Sequence, residues 1–138
     1  KKYKISSHNI AFEITESSII SDYDNMLAQI KSIKTLGYKI YLDDFGTGYS
    51  SLSYLMALPI DVVKIDKSFI KNINKESVKI ITNMIIEMCK KLDIDIIAEG
   101  VETLKQLSTL KQLYCNKIQG FYFSKPVSIE SFEKLINK

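Results

Sequence analysis

An α/β fold with parallel strands is what this sequence predicts, and three observations predict it. Short β-rich runs alternate strictly with longer amphipathic segments along the 138 residues, the pattern of strands joined by right-handed helical crossovers in a doubly wound sheet or a barrel. That length suits one hydrophobic core, and 46% hydrophobic with 25% charged residues is ordinary for a single globular unit. Four of the five expected strands also finish in acids, at Glu13, at the pair Asp43 and Asp44, at Asp66 and at Glu99.

The spacing predicts strands at residues 10–14, 39–42, 62–65, 95–98 and 118–123. A helix over 22–36 carries Met26, Leu27, Ile30, Ile33 and Leu36 as its buried stripe, with Ser21 and Asp24 as a capping pair and Gly37 as its stop. A short helix at 51–57 ends before Pro59, and a long one over 75–92 presents Val78, Ile81, Ile85, Met88 and Leu92. The methionines read as core. Thr103 with Gln106 forms a capping box ahead of Leu104, Leu107, Leu110 and Leu113, and Ser128 caps a last helix reaching residue 136.

The net charge of +3 is dispersed as single lysines among acids, which argues against a DNA or RNA groove. All 19 basic residues are lysine, so bidentate arginine clamps on phosphate are unavailable. With His8 as the one histidine, a metal site must be built from carboxylates and amides, which favours Mg2+ or Mn2+ over histidine-held zinc. No run approaches the roughly 18 apolar residues of a membrane span, and the opening KKYKISSHN lacks a signal-peptide core, so a cytoplasmic location is expected even if a parent protein is membrane-anchored. Cys89 and Cys115 show no C-x-x-C spacing and read as reduced thiols.

Parallel topology gathers strand C-termini on one face, where α/β barrels build their active sites. Acids placed there beside apolar strand residues need a metal, a cation or water to compensate them; the bland alternative is that each caps the following helix. Lys64 alternates with Val63 and Ile65 and so should point with Asp66 toward the site, holding a carboxylate, a phosphate oxygen or water. Its alternative is to snorkel outward from an edge. After Asp44 comes Phe45-Gly46-Thr47-Gly48-Tyr49-Ser50-Ser51, a loop with two glycines and several hydroxyls, suited to covering a metal site and positioning its ligands.

Five successive motifs carry a family resemblance: Phe12-Glu13-Ile14-Thr15-Glu16-Ser17, Asp43-Asp44-Phe45-Gly46-Thr47-Gly48-Tyr49-Ser50-Ser51-Leu52, Val63-Lys64-Ile65-Asp66, Ala98-Glu99-Gly100-Val101-Glu102 and Gln119-Gly120-Phe121-Tyr122-Phe123-Ser124-Lys125-Pro126. Together they resemble the EAL-domain cyclic-di-GMP phosphodiesterases. The resemblance implies a TIM-like (β/α) barrel that hydrolyses cyclic-di-GMP to linear pGpG with Mg2+ or Mn2+. It implies Glu13, Asp43, Asp44 and Glu99 as metal residues and Lys64 at the catalytic water or phosphate, with Asp66 supporting it. Glu99 doubles as a general-base candidate, Gln119 supports water and metal geometry, Glu16 anchors the loop after Asp44, and Glu102 matches a further site position.

The Glu-Ala-Leu segment that names the family and its upstream asparagine ligand do not occur in this sequence. A complete barrel takes about 250 residues, so residues 1–138 are expected to be the C-terminal portion of a single EAL domain, a partial barrel of about five strand-helix units. Two exposed sheet edges would then favour self-association. On this reading the parent domain is the enzyme and the isolated chain is inactive. The alternative is a degenerate EAL module that binds cyclic-di-GMP or a protein partner without cleavage.

Overall fold

The computed structural model describes residues 5–48 and 52–137. Strands β1 (Ala11–Thr15), β2 (Lys39–Phe45), β3 (Val62–Ile65), β4 (Asp95–Glu99) and β5 (Ile118–Gln119) form one sheet in chain order, every neighbouring pair parallel. A doubly wound sheet reverses its strand order at a switch point. The unbroken order β1 to β5 has no such reversal and is the winding of a barrel wall.

Helices α1 (Glu16–Ser21), α2 (Tyr23–Thr35), α3 (Leu52–Ala57), α4 (Lys67–Lys71), α5 (Glu76–Lys91), α6 (Leu104–Gln112) and α7 (Ile129–Ile136) fill the connections and the C-terminal segment. Ile40, Leu42, Val63, Ile65, Ile96 and Ala98 bury one face of the sheet with Ile30, Ile86 and Leu110 from the helices. Strand alternation then puts Tyr41 and Asp43 of β2 on the opposite face. Among the described residues, no helix is long and apolar enough to cross a membrane. Cys89 and Cys115 are free and buried, and burial pushes the Cys89 thiol up to about 11.

Several local expectations are corrected. β2 runs on through Asp43 and Asp44 to Phe45, whereas β5 stops at Gln119 and the chain turns at Phe121, Tyr122 and Phe123. Glu13 lies in the middle of β1, not at its end. The helices α1 and α4 fall where strand-to-helix loops were expected, each being a single short turn system too brief to show a hydrophobic period. Ser21 and Asp24 form no capping pair: Asp22 holds the N-cap position of α2, and the Ser21 hydroxyl donates to the Ser18 carbonyl. Tyr49, Ser50 and Ser51 lie outside the described residues.

The helical stripes hold at Met26, Leu27, Ile30, Ile33, Ile85, Met88, Leu107, Leu110 and Leu113, which are in the core or packed against it, and fail at their margins. Leu36, Ile81, Leu92 and Leu104 are exposed, and so are Met56 and Met84, while Thr82, Ile86, Cys89 and Gln106 occupy buried positions. The Thr82 hydroxyl survives burial by donating to the Val78 carbonyl at 2.8 Å. The Thr103 and Gln106 capping box forms as expected, and the Gln106 amide also donates to the Ile70 carbonyl, fastening α6 to α4. Ser128 stands at the N-cap of α7 but shares its hydroxyl with Ser131.

Helix α5 ends in a Schellman arrangement, with Ile94 N–H donating to the Cys89 carbonyl and Asp93 N–H to that of Lys90. This places exposed Asp93 at φ 57°, a left-handed conformation that strains a residue with a Cβ. Asp93→Gly is expected to raise unfolding free energy by about 1 kcal/mol, seen as a higher urea midpoint at unchanged slope. A lower midpoint would show that the Asp93 side chain holds the turn.

Candidate active site

The site begins with a lysine that has nowhere apolar to go. β3 is buried along its whole length, and Lys64 is its one polar residue. The Lys64 Nζ lies 2.8 Å from Glu99 Oε1 and 3.1 Å from both Glu13 Oε1 and Asp43 Oδ1. One ammonium on β3 is thus shared by carboxylates from β1, β2 and β4, its donor capacity matched to them. The Lys64 side chain is only 7% exposed, while Glu99 is 17%, Asp43 22% and Glu13 51% exposed.

A β-bulge sets this geometry. Leu42 pairs with Val63 and Phe45 with Ile65, so Asp43 and Asp44 together oppose Lys64. Asp44 absorbs the extra residue at φ 55°, a conformation aspartate tolerates better than most side chains, and its N–H donates to Asp43 Oδ1. Two adjacent acids can then lie beside one lysine without both entering the core: Asp43 turns to the ammonium and Asp44 stays exposed.

The charges do not cancel. Burial by itself pulls the Lys64 ammonium down, but hydrogen bonds to Glu99, Glu13 and Asp43 outweigh it and hold its pKa well above the usual lysine value. A folded pKa raised in this way means that the ion pairs stabilise the fold throughout the neutral range and are lost only as pH rises through the raised value. Glu99, by contrast, is also raised: burial and the negative charges of Asp43 and Glu13 exceed the pull of Lys64. A simple ion pair would lower its carboxylate. Three carboxylates against one ammonium leave two negative charges uncompensated, and the Glu99 shift reflects burial first and that excess second.

Glu16 is buried and accepts from the Gly46 N–H at 3.1 Å, tying α1 to the loop after β2. Among the described residues its other oxygen, Oε1, is buried without a hydrogen-bond partner. Asp66 stands apart from the expectation that it points at the site with Lys64. Its carboxylate accepts from the Ser68 N–H at 2.9 Å as the N-cap of α4, and hydrogen bonds from Ser68 and Lys67 keep its pKa low despite burial. For this one acid the helix-capping alternative describes the contact.

Gln119 lies beside Glu99 in the β4–β5 register. Both border an open cavity of about 770 Å³ with Glu102 and Lys67, lined also by apolar residues including Phe121 and Phe132. The Glu102 carboxylate is exposed there, while its N–H donates to Gln106 Oε1. Sequence reading passed over Phe69 of α4, whose ring covers Gly46, because nothing in the linear pattern joins those positions.

The donors around Lys64 are carboxylate oxygens alone, the chemistry of a hard divalent cation. Among the described residues no group of three or more His, Cys, Asp or Glu side chains is arranged to hold a metal directly. Here Glu13, Asp43 and Glu99 are turned to the ammonium instead.

A parallel sheet in barrel order with acids and a lysine clustered across its strands is the arrangement of an α/β barrel-type domain. The chain belongs to the EAL domain family, whose model matches residues 1–126. It is 38% identical over 128 residues to cyclic di-GMP phosphodiesterase NbdA of Pseudomonas aeruginosa, covering 92% of this chain and 16% of that protein. The PaMucR phosphodiesterase in complex with c-di-GMP superposes with a TM-score of 0.85 at 40% identity, over 92% of this chain and 51% of that one. A manganese and cy-diGMP complex of Klebsiella pneumoniae BlrP1 superposes at 0.84 with 32% identity, over 88% and 31%. The chain therefore spans about a sixth of NbdA and half of the PaMucR chain.

Lys64→Met removes the shared cation and leaves the carboxylates to repel one another. Without the pull of Lys64 the already raised Glu99 pKa rises further above its unfolded value, so the lost stability should return as pH falls through the carboxylate range. The variant is expected to lose about 1–3 kcal/mol at neutral pH and to recover much of it near pH ~4, measured by urea unfolding. Equal loss at both pH values would contradict the shared-cation account.

Proposed function

We propose that this chain carries much of the metal- and water-handling part of an EAL-domain site that hydrolyses cyclic-di-GMP to linear pGpG with Mg2+ or Mn2+. The observation that carries the proposal is the uncompensated negative charge around Lys64, beside a cavity of about 770 Å³. That volume suits a small organic ligand. The names of NbdA, as a phosphodiesterase, and of the c-di-GMP complexes of PaMucR and BlrP1 support the substrate, and the manganese complex of BlrP1 supports a divalent ion.

In this reading Glu13, Asp43, Asp44 and Glu99 hold metal, and Glu99 also takes a proton from water. Bound divalent cations would neutralise the phosphate and lower the pKa of the attacking water. Lys64 keeps the carboxylates together and orients water or a phosphate oxygen. Gln119 and Glu102 line the ligand side, Glu16 anchors the loop that follows Asp44, and Asp66 supports Lys64 indirectly by fixing the start of α4. Water adds to phosphorus as one ester P–O bond opens, and the departing ribose oxygen receives the proton.

The remaining metal donors come, on this proposal, from a preceding part of the same domain. The PaMucR match, which covers about half of that chain, supports this division. An EAL domain containing this chain is expected to convert cyclic-di-GMP to pGpG with Mn2+, to stop when EDTA is added, and to lose about 10²-fold or more with Glu99→Gln. Residues 1–138 alone should turn over little or nothing. Hydrolysis unaffected by EDTA would contradict the metal assignment, and rapid turnover by residues 1–138 would contradict the division of ligands.

A further inference from the structure

Helix α4 is short, yet it touches the segments that follow two of the acid-bearing strands, β2 and β4. On one side the Phe69 ring covers the open face of Gly46: a Cβ built on that glycine would lie 2.5 Å from Phe69 Cε2 and 2.8 Å from Cζ. On the other side a Cβ on Gly100, the residue after Glu99, would lie 2.5 Å from the Cβ of Lys67. Both glycines have positive φ, 96° and 71°, so each site demands glycine for its backbone as well as for its space.

Helix α4 is itself held firmly. Asp66 caps its start through the Ser68 N–H, and Gln106 of α6 donates to the Ile70 carbonyl at 3.2 Å. Ile70 is fully buried, and Phe69 packs against the same core. The helix is therefore a fixed wedge between the segment after Asp44 and the segment after Glu99.

The loop after Asp44 has few anchors of its own among the described residues. Gly46 N–H donates to Glu16, and Thr47 donates from both N–H and hydroxyl back to the Asp44 carbonyl. The second contact is internal to the loop. Phe45 is itself fixed, buried in the core, paired with Ile65 and accepting from the Asp66 N–H at 3.5 Å; beyond it, the loop is tied to the body of the protein by Glu16 below Gly46 and the Phe69 ring across it.

We propose that Phe69 is a positioning residue for the proposed hydrolytic site: it seats Gly46 against Glu16 and thereby supports, from the loop side of Phe45, the bulge that aims Asp43 at Lys64. The relevance to catalysis rests on the proposed phosphodiesterase reading, whereas the seating itself does not. Phe69 acts through the backbone of Gly46. Its ring lies flush enough against Gly46 to leave no room for a Cβ there, and a leucine at 69 would lack the ring atoms Cε2 and Cζ that make that contact.

Amide hydrogen exchange on the metal-free chain, followed residue by residue by NMR, tests the seating. Phe69→Leu is expected to speed exchange of the Gly46 amide about tenfold or more while the Ile86 amide in α5 keeps its protection. Unchanged exchange at Gly46 overturns the proposal. Equal acceleration at Gly46 and Ile86 also overturns it, because that is a general loss of stability. If Phe69→Leu does not fold, Phe69→Met, which keeps an unbranched apolar side chain, is read in the same way. Because no metal or substrate enters this measurement, a failed phosphodiesterase assay would remove the hydrolytic reading and leave the seating result standing.

Discussion

Carboxylates from three strands sharing the Lys64 ammonium form the constraint on which the rest of the site depends. A charge on a strand buried along its whole length is costly unless it is paired. Lys64 meets that requirement by drawing Glu13, Asp43 and Glu99 inward, and so links β1, β2, β3 and β4 through side chains on the face away from the helices. The same arrangement is over-supplied with negative charge. Stability asks only for a partner to the lysine; on the proposed reading the additional carboxylates are ligands for a divalent cation.

The surrounding structure serves that cluster in recognisable ways. The bulge places Asp43 and Asp44 opposite Lys64, and Asp44 takes a left-handed conformation to allow it. Glu16 and Phe69 grip the segment that follows, while α4 reaches across to the segment after Glu99. These contacts come from residues distant in sequence, and they convert a parallel sheet into a site with fixed relative positions. Local rigidity of this kind is what metal and phosphate chemistry requires of its supporting residues.

Much of this was legible from the sequence. Strand and helix alternation gave the parallel α/β architecture, and Lys64 was expected to face the acids because alternation within Val63-Lys64-Ile65 leaves it opposite to the apolar pair. Glu13, Asp43 and Glu99 do meet at Lys64, and Glu16 does hold the loop. What could not be read depends on tertiary contact. Asp66 follows the same strand as Lys64, yet the chain turns into α4 at once and its carboxylate is drawn to the Ser68 amide. Leu36, Ile81 and Leu104 fit the helical period but face outward, since period fixes the width of a stripe and packing fixes which stripe is buried. The bulge and the Phe69 contact leave no mark in composition or spacing.

The central claim is that the excess charge at Lys64 forms a site for a hard divalent cation. Paramagnetic broadening of NMR signals during a Mn2+ titration tests it most directly, because the effect reports distance from the ion at each residue. The account predicts broadening centred on Glu13, Asp43, Asp44 and Glu99, weakened when Asp43 is changed to Asn, and spreading little to Asp93 or Asp95 at the opposite end of β4. Uniform broadening over all exposed acids, or none near Lys64, would contradict it.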